Sequence, residues 1–149
     1  MGEPAGGAER LRSERARQYS CDLGVVAFEG ESHIFVAHML ARSRWWSGRV
    51  VAAMNSEFMG PWLVAPRAHP NDGLLDLVDA SVPRGQQWQA RRRLGTGRHL
   101  PHPGIKVRRT SGEQFEFDRP VLIRVDGTTV GKTRSLTVEI EPDAFEFVV

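Results

Sequence analysis

The last third of the chain alternates apolar and polar residues with a period of two. Successive side chains of a β-strand point to opposite faces, so this alternation is typical of strands that bury one face. Several short strands separated by turns indicate a β-sandwich or barrel. We predict a mostly β fold, a two-layer antiparallel β-sandwich. The alternating apolar runs are Ile105 and Val107, Phe115 and Phe117, Val121 to Val125, Leu136 to Ile140, and Phe145 to Val149.

The first half of the chain adds strands, and the middle adds one helix. Leu23 to Phe28 and Ile34 to Leu40 are apolar and rich in β-branched residues, and the Glu-Gly-Glu-Ser run between them predicts a hairpin. Arg49 to Met54 reads as the next strand. Residues 83–94 are predicted to form one short helix, because a proline suits its first turn and arginines near its end complement the helix dipole.

Size and composition predict one soluble domain. A chain of 149 residues with 40% hydrophobic and 26% charged residues can build a normal core. Residues 1–18 read as a flexible, charged N-terminal tail and residues 19–149 as the folded domain. A single cysteine, Cys21, excludes an intrachain disulfide. No secretion signal and no apolar run near the roughly 20 residues of a membrane helix is visible, so we expect a cytoplasmic protein whose membrane contacts are peripheral.

Positive charge is concentrated in one segment, although the net charge is only +2. The segment predicts a face that attracts anions. Its helix, which carries Trp88, could bind nucleic acid by stacking and phosphate pairing, could approach anionic lipid, or could be a solvated face, and these three interpretations stay open. The basic residues, with no acid among them, are Arg84, Arg91, Arg92, Arg93, Arg98, Lys106, Arg108 and Arg109.

The stretch from Asn55 to Val78 reads as two strands joined by a long loop. An apolar run breaks at Pro66, the chain turns through Pro-Asn-Asp-Gly at 70–73, and a second apolar run follows. Asn, Asp and Gly supply the chemistry of a tight turn. The carboxylate of Asp72 beside exposed loop carbonyls also supplies the hard oxygen ligands that Mg²⁺ or Ca²⁺ prefers. A plain structural turn and a metal-binding loop are both compatible with these residues.

The same stretch carries a family resemblance. Asn55, a Gly-containing turn after it, and then residues 65–76, APRAHPNDGLLD, form a motif that resembles the C-terminal domain of the superfamily of diacylglycerol kinases, sphingosine kinases and bacterial lipid kinases. Val125-Asp126-Gly127-Thr128 stands where that family has a V-D-G-E motif, and by itself its Asp-Gly pair predicts a hairpin turn. The resemblance runs from about Tyr19 to the end of the chain. It implies ATP-dependent phosphorylation of a lipid hydroxyl by the complete enzyme, a transferase of phospholipid metabolism.

The resemblance implies one metal site and one altered catalytic position. The metal would be a structural Mg²⁺ held by the Asp72 carboxylate and by the backbone carbonyls of His69 and Leu74. Thr128 occupies the place of the glutamate that removes the proton from the lipid hydroxyl. A threonine hydroxyl does not accept a proton usefully at neutral pH, so we expect no catalytic residue in this chain.

The family carries its nucleotide site on a separate N-terminal domain, through a G-G-D-G-T type motif. These 149 residues contain no such run and no GxxxxGK[ST] motif. We therefore expect the chain to be inactive alone and to bind ATP only together with the missing domain. Its expected partners are a lipid substrate or anionic membrane surface and a separate nucleotide-binding domain. The alternative is a non-enzymatic adaptor that binds anionic membrane or, less favoured, nucleic acid through the basic helix.

Overall fold

The structure is a computed structural model that describes residue 12 and residues 16–43, 48–81 and 104–148. These residues form ten strands and no helix. The predicted helix at 83–94, Trp88 and most of the predicted tail at 1–18 lie outside the described residues. Within the described ranges, no helix is long and apolar enough to cross a membrane. The strands are β1 (Gln18–Phe28), β2 (Glu31–Phe35), β3 (His38–Arg42), β4 (Val50–Met54), β5 (Phe58–Met59), β6 (Trp62–Leu63), β7 (Leu75–Ala80), β8 (Ile105–Thr110), β9 (Gly112–Val125) and β10 (Thr128–Val148).

Eight of the strands form one sheet in the order β2-β1-β10-β9-β3-β4-β7-β8, and β5 pairs with β6 separately. Every pairing is antiparallel. The prediction of a mostly β, sandwich-like antiparallel fold is confirmed.

Two hairpins use the turn chemistry that their sequences predict. Glu29-Gly30 connects β1 to β2 with φ angles of 49° and 80°, and Asp126-Gly127 connects β9 to β10 with 45° and 86°. Positive φ at both central residues is the geometry that matches the twist of a two-residue hairpin. The apolar run from Ile34 to Leu40 is divided, because β2 lies at the sheet edge while β3 lies between β9 and β4.

The sheet buries residues on both faces. Met39, Val51 and Ala53 belong to a large cluster with Phe35, Phe115, Ile123 and Leu136, which we call the inner core. The alternate residues of the same strands point the other way, as strand geometry requires. They form a smaller outer cluster, which the chain between β4 and β7 covers: Leu40, Ala52, Met54, Val64, Ala65, Ala68 and Val78. The central stretch therefore lies across the outer face of β3, β4 and β7.

Two of the predicted alternating faces are only partly buried. Val107 on the edge strand β8 is 42% exposed, and Phe147 near the end of β10 is 43% exposed. On β8 the neighbouring Arg108 instead lies over the Phe115 ring, with its guanidinium carbon 5.7 Å from the ring centroid. A cation over an aromatic face is favourable, so Arg108, which the alternation assigns to the solvent side, covers a ring of the inner core instead.

Gly24→Ala is expected to destabilise the fold by about 1.5 kcal/mol, because overpacking a filled core strains its neighbours. A Cβ atom on Gly24 would lie 2.0 Å from Cζ of Phe35, whose side chain is fully buried. Urea unfolding measures the loss. Phe35→Leu should absorb part of the clash, so the same alanine should cost less in that background. An equal cost in both backgrounds would exclude the steric explanation.

Candidate functional site

Asp22 fixes the loop at residues 70–73 to the sheet. It lies in β1 where the register with β10 shifts between Cys21 and Leu23, and it is fully buried. Its carboxylate accepts hydrogen bonds from the N–H groups of Gly73 at 2.7 Å and Asp143 at 2.9 Å. Its own N–H donates to the Pro70 carbonyl at 2.8 Å. A buried carboxylate requires such partners, and here they join β1, β10 and the loop.

Asn55 fixes the start of the same stretch. It follows β4, is fully buried, and its Nδ2 donates to the carbonyls of Asp22 and Val36, both at 2.9 Å. Its backbone N–H donates to the Ala37 carbonyl at 2.9 Å. Asn55 therefore connects the central stretch to β1 and to the segment between β2 and β3.

The three residues predicted as metal ligands lie together in this loop. His69 and Asp72 are exposed, and Leu74 is half-buried. Asp72 Oδ1 accepts the N–H of Leu74 at 3.0 Å, and His69 Nδ1 accepts the N–H of Asn71 at 3.3 Å. With Gly73 at φ 67°, these are the contacts of a self-bonded Asx turn. The turn chemistry is present, and it is compatible with a metal-binding role.

A guanidinium from β8 lies against the loop. Arg109 pairs with Asp72 Oδ2, and its Nε is 3.6 Å from Asp76 Oδ2. Asp76 is only 2% exposed, and its Oδ2 has no hydrogen-bond partner among the described residues. Burial raises the pKa of Asp76, and Asp72 raises it further, while Arg109 and Arg67 lower it. Two carboxylates, one exposed and one buried, therefore share one cation.

The donor set fits a hard divalent cation. It combines the Asp72 carboxylate with backbone carbonyls, beside the unpartnered buried oxygen of Asp76. Mg²⁺ prefers oxygen ligands of this kind. No group of three or more His, Cys, Asp or Glu side chains that could hold a metal occurs in the part of the chain that the structure describes. A site here would depend on backbone oxygens, and Mg²⁺ at Asp72, His69 and Leu74 stays a prediction.

Asp126 holds the second motif in place. Its carboxylate accepts three backbone N–H groups, those of Val36 at 2.7 Å and of Ala37 and His38 at 2.9 Å. Its own N–H donates to the His38 carbonyl at 2.9 Å. Thr128 follows as the exposed first residue of β10. The hairpin predicted at Asp126-Gly127 is therefore also tied to the segment between β2 and β3.

His38 is a titratable group beside this turn. Its ring is half-buried, and Nδ1 has no hydrogen-bond partner among the described residues. Burial lowers the pKa of His38. The charge of Asp126 acts in the opposite direction and raises this pKa, while the charge of Arg124 lowers it further. The lowered pKa favours the neutral imidazole, the form that accepts a proton.

Sequence reasoning missed Asp22 and Arg109 as site residues. Asp22 offered one signal, a lone acid within the apolar β1, where a buried carboxylate needs dedicated partners. The sequence places Arg109 only in the basic segment, because its partner Asp72 is 37 residues away and the contact depends on the pairing of β7 with β8.

The fold is similar to that of solved lipid kinases. A diacylglycerol kinase from Bacillus anthracis str. Sterne aligns at a TM-score of 0.61 with 13% identity, over 93% of this chain and 56% of that chain. Two provisionally named diacylglycerol kinases from the same organism align over 93% of this chain and 41% and 42% of theirs. Their TM-scores are 0.52 and 0.51, with 16% and 15% identity. This chain thus spans about half the length of these structures.

A comparison with curated proteins finds no match. A family model described as the YegS C-terminal NAD kinase beta sandwich-like domain matches residues 12–149. That match covers the described strands and both motifs, and the chain belongs to this family, the β-sandwich C-terminal domain of lipid kinases.

Proposed function

We propose that this chain is the lipid-side domain of a diacylglycerol-kinase-like enzyme that transfers a phosphoryl group from ATP to a lipid hydroxyl. The supporting observation is the meeting of the two motifs at one backbone segment. The Val36 carbonyl accepts a hydrogen bond from Asn55, and the Val36 N–H donates to Asp126. Phosphoryl transfer depends on positioning, and a hydrogen-bonded junction of both motifs is suited to it.

The nucleotide has to be held elsewhere. These 149 residues contain no glycine-rich phosphate loop of the G-G-D-G-T type. In this proposal a nucleotide-binding domain supplies the ATP site, whether it is joined to this chain in a longer polypeptide or encoded separately. The β-sandwich approaches the lipid at a membrane surface, and Asp72 with the carbonyls of His69 and Leu74 holds a structural Mg²⁺ that supports the loop.

The direct test is a reconstituted kinase assay. The chain is incubated with labelled ATP, Mg²⁺ and diacylglycerol or a sphingosine-like lipid in mixed micelles, with and without a nucleotide-binding domain of the lipid kinase family. Lipid phosphorylation is expected only when both domains are present. Lipid phosphorylation by the chain alone would refute the proposal that another domain supplies the ATP site. No phosphorylated lipid in any combination would refute the kinase assignment.

Thr128→Glu is expected to raise the rate of the reconstituted enzyme by about 100-fold, the lower range for a positioned general base. Thr128 is the exposed first residue of β10, directly after the Asp126-Gly127 turn, so a longer side chain meets no buried neighbour. Initial rates measured against pH report the effect, and the glutamate variant should gain activity with rising pH. Thr128→Gln is the matched control in size. Equal rates for the Glu and Gln variants would show that position 128 does not act as the base.

The adaptor alternative depends on the basic helix, which lies outside the described residues. Of the basic segment, Arg108 pairs with Glu113 and Asp79, and Arg109 pairs with Asp72. No contact among the described residues favours the adaptor alternative. Binding to anionic vesicles and to oligonucleotides across a salt series would test it, because steep salt dependence marks phosphate-backbone binding.

A further inference from the structure

Arg109 contacts the same carboxylate that the proposed Mg²⁺ site uses. The side chains of Asp72 and Arg109 are 27% and 40% exposed, so water and ions reach the pair. Asp76 behind them is 2% exposed. The arrangement places a partly exposed guanidinium on the solvent side and a buried carboxylate on the protein side.

Asp72 and Asp76 both contact the Arg109 guanidinium, and Arg67 acts on Asp76 as a second positive charge. When both carboxylates are ionised, two negative charges face the guanidinium of Arg109, and the Asp76 Oδ2 atom has no hydrogen-bond partner among the described residues. A divalent ion would neutralise both carboxylates. A guanidinium and Mg²⁺ repel each other, however, and cannot both lie against Asp72 Oδ2 without an electrostatic cost.

The loop does not need Arg109 to keep its shape. The buried Asp22 accepts the Gly73 N–H and donates to the Pro70 carbonyl, and Asp72 Oδ1 accepts the Leu74 N–H. These contacts involve other atoms than the Asp72–Arg109 pair. Withdrawal of the guanidinium therefore leaves a loop that is still held to the sheet.

We infer that Arg109 is a built-in competitor of Mg²⁺: its guanidinium occupies the Asp72 carboxylate in the absence of the ion and leaves it when the ion binds. The inference rests on the proposed Mg²⁺ site of the preceding section. Its consequence is a lowered affinity, so that the loop exchanges between a guanidinium-bound and a metal-bound form as Mg²⁺ concentration changes.

The experiment compares Mg²⁺ binding by the wild-type chain and Arg109→Gln, with calorimetric titration and melting temperatures in MgCl₂ and in EDTA. Arg109→Gln is expected to bind Mg²⁺ about tenfold more tightly, since one adjacent positive charge is removed. Its melting temperature should fall below the wild-type value in EDTA and recover with Mg²⁺. Asp72→Asn in the Arg109→Gln background should remove the gain.

Arg108→Gln is the matched control. It removes the same charge from the neighbouring residue, whose guanidinium pairs with Glu113 and lies on the other face of β8. It should bind Mg²⁺ like the wild type, and an equal gain in both variants would assign the effect to overall charge and overturn the inference. Equal affinity of wild type and Arg109→Gln would overturn the competition and leave the site standing. No Mg²⁺ binding by any variant at millimolar concentration would overturn both.

Discussion

Asp22→Ala is expected to lower the free energy of unfolding by about 4 kcal/mol, the largest loss among single substitutions at this site. The reason is that two backbone N–H groups, those of Gly73 and Asp143, lose a charged acceptor inside the fold. Each buried polar group left without a partner costs about 1–3 kcal/mol, and bonds to charged groups lie at the upper end. Urea unfolding measures the loss, and hydrogen exchange should show that residues 70–73 open first.

Asp143→Asn is the control for this substitution. It keeps the N–H that donates to Asp22, tolerates the positive φ of 50°, and alters only the exposed bond from the Ser20 hydroxyl. Its cost should stay below about 1 kcal/mol, as for other exposed polar contacts. Comparable losses for the two variants would mean that Asp22 does not fix the loop.

The strands were predictable because their signal is local. Alternation along Phe115, Phe117, Ile123 and Leu136 assigns these residues to one face without knowledge of the partner strand, and all four are buried in the inner core. The hairpin at Asp126-Gly127 was predictable for the same reason, since an Asp-Gly pair permits the two positive φ angles that the turn requires.

The partners of the site were not predictable, because periodicity specifies a face and not a neighbour. The sheet order places β9 between β10 and β3, so Asp126 reaches N–H groups about 90 positions earlier in the chain. The contact of Arg109 with Asp72 follows from the pairing of β7 with β8 in the same way. The sequence indicates which residues are polar, and only the strand order shows which of them meet.

Asp22 and Asp126 are both carboxylates that accept backbone N–H groups, and neither is one of the proposed metal ligands or the altered catalytic position. In the proposed enzyme they would position the residues that bind ligands. Pre-positioning of this kind contributes to phosphoryl transfer without touching the reacting atoms.

Asp126→Ala is expected to lower the free energy of unfolding by about 3 kcal/mol. Three N–H groups lose their acceptor, and alanine must adopt the left-handed backbone that Asp126 occupies at φ 45°. The bonds are accessible to water, which reduces the cost of each, while the backbone adds about 1 kcal/mol. Asp126→Asn keeps an acceptor and tolerates the backbone, so its loss should be intermediate. A wild-type stability for the asparagine variant would show that the charged acceptor contributes nothing.

The double variant Asp22→Ala/Asp126→Ala tests whether the two motifs act as one unit. Asn55 bonds to the carbonyls of both Asp22 and Val36, so loss of either carboxylate is expected to loosen a segment that the other also holds. The two losses should then fall short of additivity by about 1 kcal/mol, as for residues that share partners. Strict additivity, with hydrogen exchange confined to 70–73 in one single variant and to 36–38 in the other, would show two independent supports. In that case the meeting of both motifs at Val36 would carry no energetic coupling, and the positioning argument for the lipid kinase site would lose its basis.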